Sequence, residues 1–130
     1  MSPAALPFDQ PPLSLFVSLT VNEGVLTARP TGPTLGQREA PIVAEDINAA
    51  IDAVAARLRL FVLDLSDIQM MPSFGLGMCI ELRNRLHKCG VATVLYGLSD
   101  ELEALFRMLK VDRLYIMPRT RGELARAIAA

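Results

Sequence analysis

Leu60-Phe61-Val62-Leu63-Asp64-Leu65-Ser66 is an almost unbroken apolar run of strand length. Such a run suits a central strand, flanked by neighbours and covered by helices. Ser66-Asp67 and residues 68–72 then read as a connector, and Ser73 to Lys88 reads as a helix, with Gly90 placed to cap its end. Val91 to Tyr96 (VATVLY) is a second strand-like run. Strand, helix, strand in this order predicts parallel neighbours joined by a right-handed crossover.

Downstream the alternation continues. Ser99 is placed to cap a helix whose Leu102, Leu105, Phe106 and Leu109 fall at i, i+3, i+4 and i+7. Leu114 to Met117 predicts a short strand. Thr120-Arg121-Gly122-Glu123 matches a capping box that opens a last helix, with Leu124 and Ile128 inward. Upstream, Val43, Ile47, Ala50, Ile51, Val54 and Leu58 mark one buried face of a helix over residues 42–58, after a loop over residues 30–41. Before that loop, Leu15, Val17, Leu19 and Val21 alternate with Ser14, Phe16, Ser18 and Thr20, which predicts a strand over residues 13–21. It pairs as a hairpin, through Asn22-Glu23-Gly24, with a strand over residues 25–29. Pro3, Pro7, Pro11 and Pro12 fall in the first twelve residues, which read as a flexible leader. The expectation is one α/β domain over residues 13–130, a four- to five-stranded mixed sheet with about four helices packed on it.

Composition narrows the functional classes. Thirteen basic residues face fourteen acidic ones, for a net charge of -1. A phosphate-backbone binder would need a clearly basic face, so no nucleic-acid partner is expected. Cys79 and Cys89 do not form a metal-binding spacing and read as reduced thiols. The N-terminus lacks a basic region followed by an apolar run, and the chain has no apolar span of about 18 residues. A cytoplasmic location without membrane insertion is the expectation.

The catalytic inventory is thin. His87 is the single histidine and sits beside Lys88 near a helix end, where a cation suits the helix dipole. Gly75-Leu76-Gly77 is neither a dinucleotide fingerprint nor a P-loop. Asp64, Asp67 and Asp100 fall near strand ends, where α/β sheets hold ligands, but carboxylates there commonly cap loops. Met70, Met71 and Met78 read as packing or interface. Arg119 and Arg121 read as a solvated face. No enzyme activity, cofactor or metal is expected.

The helix over residues 73–88 draws the functional reading. At about 100° per residue, Gly75, Cys79, Leu82 and Leu86 gather toward the sheet, with Leu76 at the margin. Phe74, Met78, Glu81 and Arg85 gather on another face, with the composition of a docking surface. Packing against the preceding connector is the competing explanation for Phe74 and Met78. Gly75 and Gly77 are poor helix formers, so close approach of a backbone, from the sheet or from a partner, is expected there.

From about residue 60 the order of motifs resembles the STAS family of anti-sigma-factor antagonists. Phe61-Val62-Leu63-Asp64-Leu65-Ser66 is similar to the family's strand V-x-L-D-L-S. Pro72-Ser73-Phe74-Gly75-Leu76-Gly77 stands where the family has Asp-Ser-Ser/Ala-Gly-Leu-Gly. The segment from Glu81 to Gly90 matches a helix ending in basic residues and glycine, and Lys110 to Tyr115 resembles the family's closing G-L-D-R-L-F. The resemblance implies a bacterial signalling protein that regulates transcription through protein–protein contact. It makes Ser73 the candidate phosphoacceptor. It implies a partner that is an anti-sigma factor or kinase of the histidine-kinase ATPase type, with a matching phosphatase. Pro72, Phe74, Gly75, Gly77, Met78, Glu81 and Arg85 are the candidate partner-binding residues. Pro72 replaces the usual Asp and Phe74 the usual small residue. Two alternatives stay open: a docking subunit of a lipid ABC transporter that carries no phosphate, or a stressosome-like scaffold. Homo-oligomerisation is open as well. For Ser73, an ordinary helix cap is the rival to a phosphorylation site.

Overall fold

In a computed structural model, which describes residues 15–130, strands β1 (Val17–Asn22) and β2 (Val25–Pro30) form an antiparallel hairpin. Its two loop residues, Glu23 and Gly24, have φ of 51° and 81°. Positive φ at both central positions gives a loop whose twist matches that of the strands. The expected leader over residues 1–12 and the first two residues of the expected strand lie outside the described residues.

Strands β3 (Leu60–Asp64) and β4 (Ala92–Tyr96) complete a mixed sheet of order β1-β2-β3-β4, with β2, β3 and β4 mutually parallel. The first four residues of β3 are buried, as its apolar run predicts. Helix α1 (Ala40–Val54) carries the chain from β2 to β3, and α2 (Ser73–Lys88) carries it from β3 to β4. Two crossovers of one hand, advancing in one direction, put both helices on the same face of the sheet. There, Phe61, Leu63, Leu65, Leu26 and Leu95 pack with Val43, Ile47, Leu82 and Leu86. Leu102 and Phe106 of α3 (Asp100–Met108) join the same cluster. On the opposite face, Val25, Leu60, Val62 and Val94 lie under Leu124, Ala127 and Ile128 of α4 (Arg121–Ala129). Burying each large apolar side chain contributes roughly 1.5–3 kcal/mol, and the buried faces are those the periodicity marked except at Leu109 and Met78.

Three boundaries differ from expectation. Helix α1 starts at Ala40 and ends at Val54, with a 3-10 turn over Ala55–Arg57; Pro41 enters its first turn, where a missing N–H costs nothing. Leu109, expected on the inner stripe of α3, is instead exposed. The helix stops at Met108, and Lys110 turns out of it at φ 59°. The strand expected at residues 114–117 shrinks to one bridge, in which Ile116 donates to Thr93 O and accepts from Leu95 N. A 3-10 turn (Asp112–Leu114) occupies the preceding residues. Two residues on, Pro118 lacks the N–H that the next rung of a parallel ladder requires.

The caps follow the sequence reading closely. Ser99 Oγ accepts from Leu102 N at 3.2 Å, and Thr120 Oγ1 accepts from Glu123 N at 3.1 Å. The Glu123 carboxylate accepts the N–H of Arg119 at 2.7 Å. Gly90, at φ 77°, ends α2, with its N–H on His87 O and the N–H of Val91 on Leu86 O. That pair of bonds is the Schellman arrangement.

Candidate functional site at the start of helix α2

The chain leaves β3 through residues 65–72 and enters α2 at an extended Pro72, with φ -63° and ψ 175°. Pro72 holds the N-cap position and has no side-chain acceptor to offer. Ser73 was expected at or beside the cap; it is the first helical residue, and its side chain is exposed. The first N–H groups bonded back are those of Gly75 and Leu76, both to Pro72 O, at 2.9 and 3.2 Å. The N–H groups of Ser73 and Phe74 therefore precede the helical ladder, at the positive end of the helix dipole. Phe74 is 55% exposed and Met70, just upstream, is 61% exposed.

Gly75 explains why the helix tip sits where it does. A Cβ at this position would stand 2.0 Å from Leu35 O and 2.9 Å from Met71 Cγ. The close approach anticipated from sequence is thus to the loop between β2 and α1, not to the sheet. That loop is itself tied to the β3–α2 connector. Leu35 donates to Met70 O at 3.0 Å, and Gln69 and Met70 donate to Pro33 O at 2.7 and 3.1 Å. Gly77 differs: nothing lies within 4 Å of where its Cβ would be. Its missing side chain instead helps open a groove.

The groove, of ≈ 400 Å³, lies between the first turns of α1 and the first half of α2. Ala40, Pro41 and Ala44 form one wall; Ser73, Phe74, Gly77 and Glu81 form the other, with Met78 beneath. Small residues on both walls leave the space. Met78 was expected on an exposed face and is buried, only 5% accessible. Arg85 was expected on the same free face. Its guanidinium instead donates to Asn48 Oδ1 at 2.5 Å and pairs with Asp52, both on α1. Of the eight positions singled out, Pro72, Ser73, Phe74 and Glu81 are exposed, and Gly77 lines the groove with partial exposure. Gly75 serves the internal contact. The α1 wall went unnoticed in the sequence, although the small pair Ala40 and Ala44, one turn apart, was its signal.

The other candidate groups are held locally. Asp64 accepts from Ser66 N at 2.9 Å and from the Ser66 hydroxyl. Asp67 receives Arg29 through two bonds at 2.9 and 3.2 Å, and Asp100 stands in the first turn of α3. Arg119, read as solvated, pairs with Glu103 at 2.8 Å, and Arg107 pairs with the same carboxylate at 2.6 Å. Asp100, Glu103, Arg107 and Arg119 line a second, polar concavity of ≈ 270 Å³ beyond the end of β4. Among the described residues, no group of three or more His, Cys, Asp or Glu is placed to hold a metal ion. Burial pushes the Cys79 thiol up to about 12, so it is not a nucleophile at neutral pH. Burial also raises Tyr115, whose hydroxyl donates to Cys79 O at 3.0 Å. Among the described residues, no helix is long and apolar enough to cross a membrane.

A mixed sheet of order β1-β2-β3-β4, with parallel crossovers through α1 and α2, defines a class of small α/β domain. The STAS domain family matches residues 17–127, and the chain belongs to it. No curated protein matches the chain by sequence. A STAS domain protein from Planctomyces limnophilus superposes with a TM-score of 0.77 at 16% identity, covering 88% of this chain and 98% of that one. The anti-sigma factor antagonist SpoIIAA in its unphosphorylated form superposes with a TM-score of 0.67 at 18% identity, covering 87% and 96%. SpoIIAA of Bacillus in its phosphorylated form gives 0.66 at 16% identity, covering 85% and 98%. The murine Solute Carrier 26 family member A9 anion transporter gives 0.70 at 17% identity, covering 84% of this chain but 18% of the transporter. At these identities the likeness is one of fold.

Proposed function

We propose that this chain is a cytoplasmic anti-sigma-factor antagonist that binds its partner through the start of α2 and is switched by phosphorylation at Ser73. The observation that carries this reading is an exposed serine at the first helical position, beside an open groove and an exposed Phe74. The partner in this reading is an anti-sigma factor or kinase of the histidine-kinase ATPase type. Phe74 and the groove supply apolar contact, and Glu81 supplies a charge at the far end. A phosphate on Ser73 adds about -1.5 to -2 charge where unpaired N–H groups and the helix dipole stabilise it. It also places that charge on the rim that the partner covers, so release needs no change of fold. That SpoIIAA has been solved in a phosphorylated form is in keeping with this chemistry on the same fold.

The test is partner capture from the native host, followed by affinity measurement with Ser73→Ala and Ser73→Asp. The expected result is binding retained by Ser73→Ala and lost by Ser73→Asp, with a phosphate at Ser73 in peptides from the host. Equal affinity for both variants sinks the switch. A second reading rests on Pro72, which removes the carboxylate that the family's motif carries before this serine. In that reading the domain docks without phosphate, as a subunit of a lipid ABC transporter or a stressosome-like scaffold. Stable co-purification with a transporter ATPase or a large assembly, whatever the state of Ser73, is its signature.

A further inference from the structure

Among the described residues, the hairpin leaves one edge of the sheet open at β1. Thr31 N donates to Phe16 O at 2.8 Å, and the register pairs Ser18 with Arg29, Thr20 with Thr27 and Asn22 with Val25. Hydrogen-bonded and non-bonded pairs alternate in an antiparallel ladder. Phe16, Ser18, Thr20 and Asn22 therefore face β2, and the N–H and C=O groups of Val17, Leu19 and Val21 face outward. Pro30 opposite Val17 fits this phase, because a non-bonded position asks nothing of its missing N–H. Among the described residues these outward groups have no partner. Natural sheets usually blunt such an edge with charge, proline or a bulge. The segment Val17-Ser18-Leu19-Thr20-Val21 carries none of these, and its register with β2 is unbroken.

We propose that β1 pairs antiparallel with β1 of a second copy of this chain, about a two-fold axis through Leu19. The argument is self-complementarity. Read in either direction from Leu19, the segment is apolar, hydroxyl, apolar, hydroxyl, apolar. In that register Val17 lies opposite Val21 of the partner copy, and Leu19 opposite Leu19. The three outward-facing residues then exchange all their main-chain bonds. A two-fold axis perpendicular to the sheet keeps the faces aligned. The half-buried Leu19 and Val21 thus gain apolar neighbours on the helix side, and Ser18 meets Thr20 on the other side. No charge is buried and no like charges meet. A shift by one residue would set hydroxyls against the apolar face, so one-residue slips are disfavoured. The resulting interface is one strand wide, so the association is concentration-dependent and readily reversed.

Sedimentation equilibrium of the full chain, from micromolar to near-millimolar concentration, tests this with two double variants. Ser18→Glu with Thr20→Glu sets carboxylates opposite carboxylates across the axis, while both side chains stay exposed in the single copy and position 18 lies beside Arg29. Ser18→Glu with Thr20→Lys sets opposite charges together. The expected result is a wild-type dimer, at least tenfold weaker with the paired acids and recovered to within about threefold with the acid–base pair. Circular dichroism checks that all three chains are folded. A monomer at every concentration overturns the proposal, as does a dimer indifferent to both double variants. A wild-type chain that stays monomeric yet takes up a strand from another protein also counts against it.

Discussion

Gly75→Ala is the sharpest perturbation of the helix tip, because the same change two residues later serves as its control. At Gly75 the new Cβ would lie 2.0 Å from the Leu35 carbonyl oxygen and 2.9 Å from Met71 Cγ. An ordinary contact is about 3.5 Å, so the helix start and the loop must separate by more than an ångström. The obstructing atom is backbone, fixed through the bond from Leu35 N to Met70 O. Overpacking of this kind costs about 1–3 kcal/mol, against a gain of up to ~1 kcal/mol from replacing glycine within a helix. A net loss of up to about 2 kcal/mol is expected. At Gly77 no atom stands within 4 Å, so alanine there should stabilise by up to ~1 kcal/mol. For a domain of this size each kcal/mol corresponds to roughly 3–5 °C in Tm. Urea and thermal denaturation of the two variants should therefore move in opposite directions. If Gly75→Ala proves as stable as Gly77→Ala, the close approach to Leu35 is not what seats the helix.

Three further expectations concern the body of the domain. The Cys79 thiol titrates near 12 when folded against an ordinary 9.0, so the unfolded chain loses this proton first as pH rises. Its contribution is constant below pH 9 and declines by about 1.4 kcal/mol per pH unit above that; urea melts from pH 8 to 11 should show this, with a shallower slope for Cys79→Ala. Thr93 is buried, and among the described residues its hydroxyl has no hydrogen-bond partner. The near-isosteric Thr93→Val should therefore stabilise by about 1 kcal/mol, read as a higher urea midpoint at unchanged slope. Lys110 ends α3 at φ 59°, a conformation that disfavours a side chain; Lys110→Gly should raise Tm by a few degrees, and a fall would remove backbone strain as the account of this turn.

What the sequence made legible was what depends on one element at a time. The apolar run of β3, the inner residues of α1 and the caps at Ser99, Thr120 and Gly90 are each set by local pattern, and each stands where the pattern put it. What it obscured depends on two elements meeting. Met78 lies roughly 70° from the centre of the stripe formed by Gly75, Cys79, Leu82 and Leu86, by ordinary helical geometry. Viewed on α2 alone it belongs to the outer face. Helix α1 packs on that flank, so the buried arc widens to include Met78 and engages Arg85 through Asn48 and Asp52. The groove is hidden for the same reason, since one of its walls comes from Ala40, Pro41 and Ala44. Likewise the strand expected at residues 114–117 satisfies its apolar pattern but meets Pro118 two residues past its bridge to Val94.

The same distinction bears on Pro72, the clearest departure from the family's motif. An aspartate at the N-cap would accept a bond from the first N–H groups of α2 and place a negative charge beside the serine. Proline does neither. It fixes the backbone turn but leaves the N–H groups of Ser73 and Phe74 ahead of the ladder, with no side-chain cap. Two consequences pull in opposite directions. A modifying enzyme that recognises the serine through the neighbouring carboxylate loses that handle. A phosphate once attached would meet a helix end whose field and donors no aspartate has already taken up. In the proposed switch the substitution therefore separates the ease of placing a phosphate from its stability once in place, and only the first of these argues for a domain that docks without it.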